Sequence, residues 1–367
     1  MQENQMKKIG ILTFHRANNY GALLQAYALK NTIKTMGVKA EVINYLCPKI
    51  EKDYAFFSGV FGVKWFIKKM IKVLFLPKII SNNNKFGQFR KKYLIDTPCL
   101  TPESINKIND EFNAFISGSD QIFNPKLTDF DDNYLLSFVK DNRKKYSYAA
   151  SLGLSEINGK EKKFLTDNLK SFYKISVREK QASNIISKLV DKEILTHLDP
   201  TFLFNKTAWQ EIAVPQVKKE KFILLYLMNV NDKIISFAQQ LSKATKLKIV
   251  YVSDALINKT PFKAICVTPQ DWLRYFLDAE YVVTNSFHGL AFSINFNKNF
   301  FIDFLPPNWP VNSRIENLLD LTDLRNRLID NIDFDYNIRI NWLKVNKIIE
   351  EERQKAKEYL RGICEQN

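Results

Sequence analysis

"KIGILTFHRANNYGALLQAYALKNTIKTMGVKAEVINY", Lys8 to Tyr45, decides the fold. Ile9, Ile11, Leu12 and Phe14 make a short apolar run with the character of a buried strand. The polar loop "HRANNYGA" follows, and then Leu23, Leu24, Tyr27, Ala28, Ile33 and Met36 recur at helical spacing until Gly37 stops the helix. "KAEVINY" supplies a second strand, so the segment is a βαβ unit, which places both strands in a parallel sheet.

The pattern continues outward. Short strands are expected at "FNAFISGSD", "KKYSYAASLG" and "YKISVREK", with a helix over Glu161 to Lys174. A polar, proline-containing passage from Glu211 to Lys221 then precedes a second series: strand "FILLYLM", helix "NDKIISFAQQLSKATK", strand "LKIVYVSD", helix "PQDWLRYFLDA", strand "EYVVTNS", helix "LAFSINFN" and strand "FFIDF". A chain of 367 residues exceeds the size at which one core keeps growing. The expectation is an α/β protein of two Rossmann-like domains facing a cleft. An N-terminal domain spans 1–215, a C-terminal domain spans 216–335, and within 336–367 a long charged helix, Trp342 to Leu360, packs back on the first.

Composition narrows the partners. Lys and Arg number 54 against 39 Asp and Glu, a formal charge of +15, which favours anionic partners such as phosphates, acidic glycans or an anionic membrane surface. Lysines are spread along the chain without a nucleic-acid module, and no nucleic-acid partner is expected. Cys47, Cys99, Cys266 and Cys364 form no CxxC pair and have no histidine at ligand spacing, so neither a disulfide framework nor a zinc site is expected. The run Ile9 to Phe14 is too short for a signal peptide or a membrane span, and a cytoplasmic chain is expected. The segment "VFGVKWFIKKMIKVLFLPKII", residues 60–80, places Lys64, Lys68, Lys69 and Lys72 on one side with Trp65, and Phe66, Ile67, Met70, Val73 and Leu74 on the other. That helix either lies on the inner face of a membrane or packs its apolar side on its own domain.

Ligands of parallel sheets bind where strands end and helices begin. Polar residues stand at several such places: His15 to Asn19, "SGSDQ" at Ser117 to Gln121, Arg178 after "ISV", and "NSFHG" after "YVVT". No GxGxxG follows the first strand, and neither GxxxxGK[ST] nor HExxH occurs, which disfavours dinucleotide oxidoreductases and P-loop enzymes. His288, one of three histidines, sits at a helix start whose positive pole favours an anion beside it, with Asn285, Ser286 and Gly289 small enough to admit a ligand to backbone amides. Arg178 is read either as an anion clamp or as part of a solvated ion pair with Glu179 and Lys180. Ser119 and Asp120 either contact a ligand or cap the next helix. The acidic loop Asp129, Asp131, Asp132 is a weak metal signal, and no metal is assigned.

These stretches together carry a resemblance. "NNYGALLQAYAL" (Asn18 to Leu29), "ISGSDQIFNP" (Ile116 to Pro125), "YAASLG" (Tyr148 to Gly153), "SVRE" (Ser176 to Glu179), "LDPTFLF" (Leu198 to Phe204) and "TNSFHGLAFS" (Thr284 to Ser293) resemble, in order, the motif series of the polysaccharide pyruvyl transferase family. The resemblance runs from about residue 8 to 330 and leaves Pro48 to Tyr93 uncovered. It implies a fold like that of GT-B glycosyltransferases and transfer of pyruvate from phosphoenolpyruvate onto two hydroxyls of a sugar as a cyclic ketal. It also makes His288 and Arg178 the functional pair. This chain carries "NYGA" where other branches have a more glycine-rich loop, so Asn19 and Gly21 are carried over as loop contacts only.

The expected donor contacts are Arg178, Asn285, Ser286, His288, Gly289 and Arg314. Acceptor contacts are expected at Ser119, Asp120 and Gln121, across the cleft. No cofactor is expected besides phosphoenolpyruvate as donor substrate. The acceptor class implied is a sugar of a capsule, exopolysaccharide or cell-wall precursor, often lipid-linked, which would bring the protein to the inner membrane face. A GT-B glycosyltransferase using a nucleotide sugar is the rival reading, mildly disfavoured because the second half shows no evident carboxylate pair for ribose hydroxyls. A non-catalytic assembly protein of the same fold is the third.

Overall fold

The computed structural model describes residues 6–54, 75–216, 220–306, 309, 311–332, 336 and 339–366. It divides into two compact units: Met1–Val73 with Gln88–Leu203 and Glu352–Asn367, and Leu74–Gly87 with Phe204–Glu351. The boundaries expected at 215/216 and 335/336 thus differ from this division, because 74–87 and 204–215 group with the second unit and 352–367 with the first. Of the basic segment at 60–80, residues 60–74 lie outside the described residues. Among the described residues no helix is long and apolar enough to cross a membrane.

In the first unit, β1 (Lys8–Leu12), β2 (Lys39–Val42), β3 (Ala114–Ser117) and β4 (Lys145–Ser147) form a parallel sheet in the order β2-β1-β3-β4. A parallel pair, β5 (Ile175–Val177) and β6 (Ile194–Thr196), continues it through bridges Tyr146↔Lys174 and Ala150↔Val177. Strand order reverses direction between β1 and β3, which opens a crevice at their carboxyl ends. Both sheet faces are covered. Ile9, Ile11, Ala114 and Ile116 pack with Leu29 and Ile33 of helix Tyr20–Thr35 and with Ala356, Leu360 and Ile363 of the last helix. Leu12 and Phe115 pack with Phe123, Leu165 and Leu169 on the other side. Burial on both faces explains why these strands read as apolar runs rather than as alternating ones.

The second unit repeats the plan with β7 (Phe222–Tyr226), β8 (Lys248–Val252), β9 (Ala264–Ile265), β10 (Tyr281–Thr284) and β11 (Asn299–Ile302), all parallel in the order β11-β10-β7-β8-β9. Its reversal lies between β7 and β10. Each unit is therefore Rossmann-like by strand order. Helix Pro269–Asp278 begins with a capping box between Thr268 and Asp271, and its Trp272 meets Phe276, Tyr226 and Phe292 at ring-centroid distances of 4.2, 5.3 and 5.0 Å.

Three differences from the sequence reading have physical reasons. β6 and β9 are short strands without a periodicity long enough to announce them. Helix Phe287–Asn295 starts earlier than the apolar run suggests, because Ser286 caps it and draws His288 into the first turn. The last helix runs Trp342–Gln366 rather than ending at Leu360, since Gly362 faces open space there and weakens the helix without breaking it.

Candidate functional site

In the first unit the crevice between β1 and β3 is lined by side chains that bond to one another. Gln25, on helix Tyr20–Thr35, donates from Nε2 to Thr13 Oγ1 at 2.8 Å, and Thr13 Oγ1 donates to Ser119 O at 2.9 Å. Ser119 Oγ donates to Ala149 O at 2.8 Å and receives Arg178 Nη2 at 2.7 Å. Arg178 Nη2 also lies 3.0 Å from Asp199 Oδ2 and 4.0 Å from Asp120 Oδ1. Asp199 Oδ1 accepts from Thr201 N at 2.9 Å and Thr201 Oγ1 at 2.7 Å. Arg178 and Asp199 are 3% and 1% exposed, so the pair is buried.

This corrects the view of Arg178 as one member of a solvated ion pair with its chain neighbours. Glu179 points elsewhere: its Oε1 accepts from Ser151 Oγ and Leu152 N, both at 3.0 Å, and it is 1% exposed. Both residues lie beyond β5, in the link to the helix Lys180–Ile186, where Glu179 is the N-cap residue with extended backbone (φ −121°, ψ 144°), and the two side chains serve different loops. Nor do Ser119 and Asp120 cap the next helix. Asn124 does so, accepting from Lys126 N at 3.2 Å. Ser119 is fully buried and bonded to Ala149 O and Arg178. Asp120 adopts φ +74°, a conformation that costs a non-glycine residue energy, and its Oδ1 accepts from Gln121 N at 2.9 Å. Gln121 lies over Gly153, whose φ of +59° and missing Cβ leave room for that side chain. Asn19 caps helix Tyr20–Thr35, accepting from Ala22 N at 3.1 Å, and Gly21 is buried in its first turn.

In the second unit, Asn285, Ser286, His288 and Gly289 occupy the end of β10 and the start of helix Phe287–Asn295, beside the reversal in strand order. Asn285 ties the end of β10 to the loop after β7: Oδ1 accepts from Met228 N at 2.8 Å and Nδ2 donates to Asn229 O at 2.6 Å. Ser286 Oγ caps the helix on Gly289 N at 3.4 Å. The first turn carries no acidic residue, so the helix's positive end is not offset locally. His288 is 7% exposed, edge-on to Phe287 at 5.3 Å between ring centroids. The Arg314 guanidinium stands 5.6 Å from the centroid of the same Phe287 ring. An imidazole, a guanidinium and an uncompensated helix start thus gather around one aromatic residue, a set suited to an anion that must also gain or lose a proton.

The other two histidines sit in the first unit. His15 is held between Thr13 O at 3.1 Å and Asn44 Oδ1 at 3.3 Å, and burial pulls it down to about 4 against the upward effect of those bonds. His197 has Nδ1 2.7 Å from Ser176 Oγ and stacks on Tyr148; burial likewise takes it to about 4. Both are neutral at pH 7. In the acidic loop, Asp131 Oδ2 accepts from Tyr45 Oη at 2.6 Å, and among the described residues no group of three His, Cys, Asp or Glu could hold a metal ion.

Sequence reasoning missed Asp199, Glu179, Thr13 and Gln25. Asp199 lay inside "LDPTFLF", where an aspartate before Pro200 and Thr201 signals a local turn cap. Nothing local signals that its second oxygen meets an arginine of another strand end.

Solved structures similar to this chain include the Methanocaldococcus jannaschii UDP-GlcNAc 2-epimerase in complex with UDP-GlcNAc and UDP, at 10% identity and TM-score 0.49, covering 94% of this chain and 99% of that one. The S. aureus MnaA–UDP structure is similar at 14% identity and TM-score 0.44, over 95% and 88%. The E. coli heptosyltransferase WaaC with ADP is similar at 10% identity and TM-score 0.36, over 83% and 89%. Likeness at this level says nothing of substrate. No curated protein sequence matches. The family described as polysaccharide pyruvyl transferase matches residues 19–302, a stretch that takes in the Asn19 cap, the Ser119–Arg178–Asp199 network and the His288 helix start, and the chain belongs to that family.

Proposed function

We propose that this protein transfers pyruvate from phosphoenolpyruvate onto two hydroxyls of a sugar in a cell-surface polysaccharide precursor, forming a cyclic ketal. Family membership over residues 19–302 is the observation that carries the reading. The chemistry of the residues supports it. Phosphoenolpyruvate bears a phosphate and a carboxylate, which call for cationic side chains and helix-start amides. We assign donor contacts to Ser286, His288, Gly289 and Arg314, with Asn285 holding the loop that presents them. On the family resemblance, Arg178 is assigned to an anionic group of the donor, and Asp120 and Gln121 to the acceptor hydroxyls.

The reaction balances without a cofactor. Two acceptor hydroxyls form two C–O bonds to the central carbon of the enol, the C–O bond to phosphate breaks, and two protons leave the hydroxyls. One proton ends on the methylene carbon, which becomes methyl, and the other on the departing phosphate. His288 is proposed as the group that moves a proton in this sequence, by general acid or base action. Arg178 and Arg314 are proposed to offset charge on the phosphate as it departs. We further propose that the acceptor is lipid-linked and that the basic segment at 60–80 brings the protein to an anionic membrane surface from the cytoplasm.

The test is release of inorganic phosphate from phosphoenolpyruvate across a panel of lipid-linked sugars, with mass analysis of the product. A ketal product supports the reading. Thermal stabilisation by UDP or GDP sugars, with none by phosphoenolpyruvate and no ketal, overturns it in favour of a glycosyltransferase.

A further inference from the structure

We propose that Asp199 is the positioning residue of Arg178: a carboxylate, itself anchored by Thr201, that holds the guanidinium in the orientation in which it meets the donor. The inference rests on the assignment of Arg178 to the anionic groups of phosphoenolpyruvate.

The geometry carries the argument. Arginine has several rotatable bonds, and ordering such a side chain costs entropy that weakens any ligand it must first be ordered to meet. Here Nη2 is fixed from two sides, by Asp199 Oδ2 at 3.0 Å and by Ser119 Oγ at 2.7 Å. The carboxylate that fixes it does not move freely, because Oδ1 is held by the Thr201 amide at 2.9 Å and the Thr201 hydroxyl at 2.7 Å. Ser119 in turn is fixed by Ala149 O at 2.8 Å. Its neighbour Asp120 and its partner Ala149 both sit at positive φ, +74° and +44°, so the loops around the arginine are held in conformations that side-chain-bearing residues adopt rarely. Ionic hydrogen bonds among groups removed from water are stronger and more directional than the same bonds at the surface. A turn capped by its own aspartate, in a segment remote in sequence from Arg178, thereby sets where the arginine points.

The experiment measures phosphoenolpyruvate binding by calorimetry on the full chain, with melting temperature recorded for every variant. Four proteins close a cycle: wild type, Asp199→Asn, Arg178→Gln and the double variant. Asp199→Asn is expected to weaken phosphoenolpyruvate about tenfold or more, and the double variant to bind no more weakly than Arg178→Gln alone, the non-additivity expected of a residue acting through another. Thr201 supplies a second route should Asp199→Asn fold poorly: Thr201→Val, which loses the hydroxyl anchor, is expected to weaken binding, and Thr201→Ser to restore it. If Asp199→Asn and Thr201→Val lower the melting temperature yet leave phosphoenolpyruvate affinity unchanged, Asp199 is a structural carboxylate and the proposal is overturned. Additive losses in the cycle overturn it equally. Binding by wild type that Arg178→Gln does not alter removes the Arg178 assignment, and this inference with it, while leaving the donor standing. Absence of binding by wild type removes the donor reading itself.

Discussion

Gly289 stands directly against Thr284. A Cβ at position 289 would collide with Thr284 Oγ1 and lie 3.0 Å from Thr284 Cβ. Thr284 cannot turn away, because its hydroxyl donates to Tyr226 O at 2.6 Å and accepts from Ser286 N at 3.1 Å. Glycine is what lets the helix that carries His288 approach the end of β10.

Gly289→Ala is therefore expected to destabilise the second unit by about 1–3 kcal/mol, as overpacking in a filled site does. Thermal or urea unfolding reads the loss. Gly362→Ala is the control, since a Cβ there meets nothing within 4 Å and glycine is a poor helix former; it should stabilise by roughly 0.5–1 kcal/mol. Equal effects from the two changes would sink the packing argument.

His288→Gln keeps a polar side chain of similar reach at the helix start and removes the imidazole. The folded protein should lose about 10²–10⁴-fold in turnover. Phosphate release under saturating donor measures this, and a folded variant with wild-type turnover would show that His288 moves no proton.

Glu179→Ala removes the acceptor that Ser151 Oγ and Leu152 N share. Leaving buried donors unmet should cost about 1–3 kcal/mol, read by denaturant unfolding. Glu179→Gln, which keeps an accepting oxygen, should cost less. If both variants unfold at the wild-type midpoint, the Ser151–Gly153 loop is held by something else.

Stability should fall on acidification through the buried histidines. For both His15 and His197 burial is the main cause that takes the folded value from 6.5 to about 4, so the unfolded chain binds the proton more readily than the folded one. The contribution is complete above pH 6.5, declines as pH falls between 6.5 and about 4, and levels off below. Protonating each buried histidine costs the folded state up to about 3 kcal/mol by this linkage. Unfolding free energies of wild type and His197→Asn across that window should converge as pH drops; parallel curves would contradict the assignment.

Replacing Lys64, Lys68, Lys69 and Lys72 by glutamine should reduce flotation with vesicles containing anionic lipid, by about 1 kcal/mol per lysine near the surface. Unchanged flotation would mean that this segment is not the membrane contact.

By itself the sequence determined that this is a protein of parallel α/β units with polar residues gathered at strand ends. Buried parallel strands are apolar on both faces, helices declare a longer period, and Asn19, Thr268 and Gly37 punctuate them, all of which are local properties of the chain. The place of His288 in the first turn after β10 was legible for the same reason, a polar residue placed just after an apolar strand. Only the tertiary structure decided what the strand ends do to one another. Arg178 and Glu179 are neighbours in sequence, yet one joins Asp199 and Ser119 while the other pins Leu152, because parallel pairing brings the loops after several strands to the same edge, where the link from β5 to its helix meets them. Ser119 is withdrawn from solvent into that network, and Asn285 ties the end of β10 to the loop after β7, through hydrogen bonds whose partners lie far away along the chain. Pairings of that kind depend on which strands lie side by side, and strand order is a property of the folded sheet that no local spacing encodes.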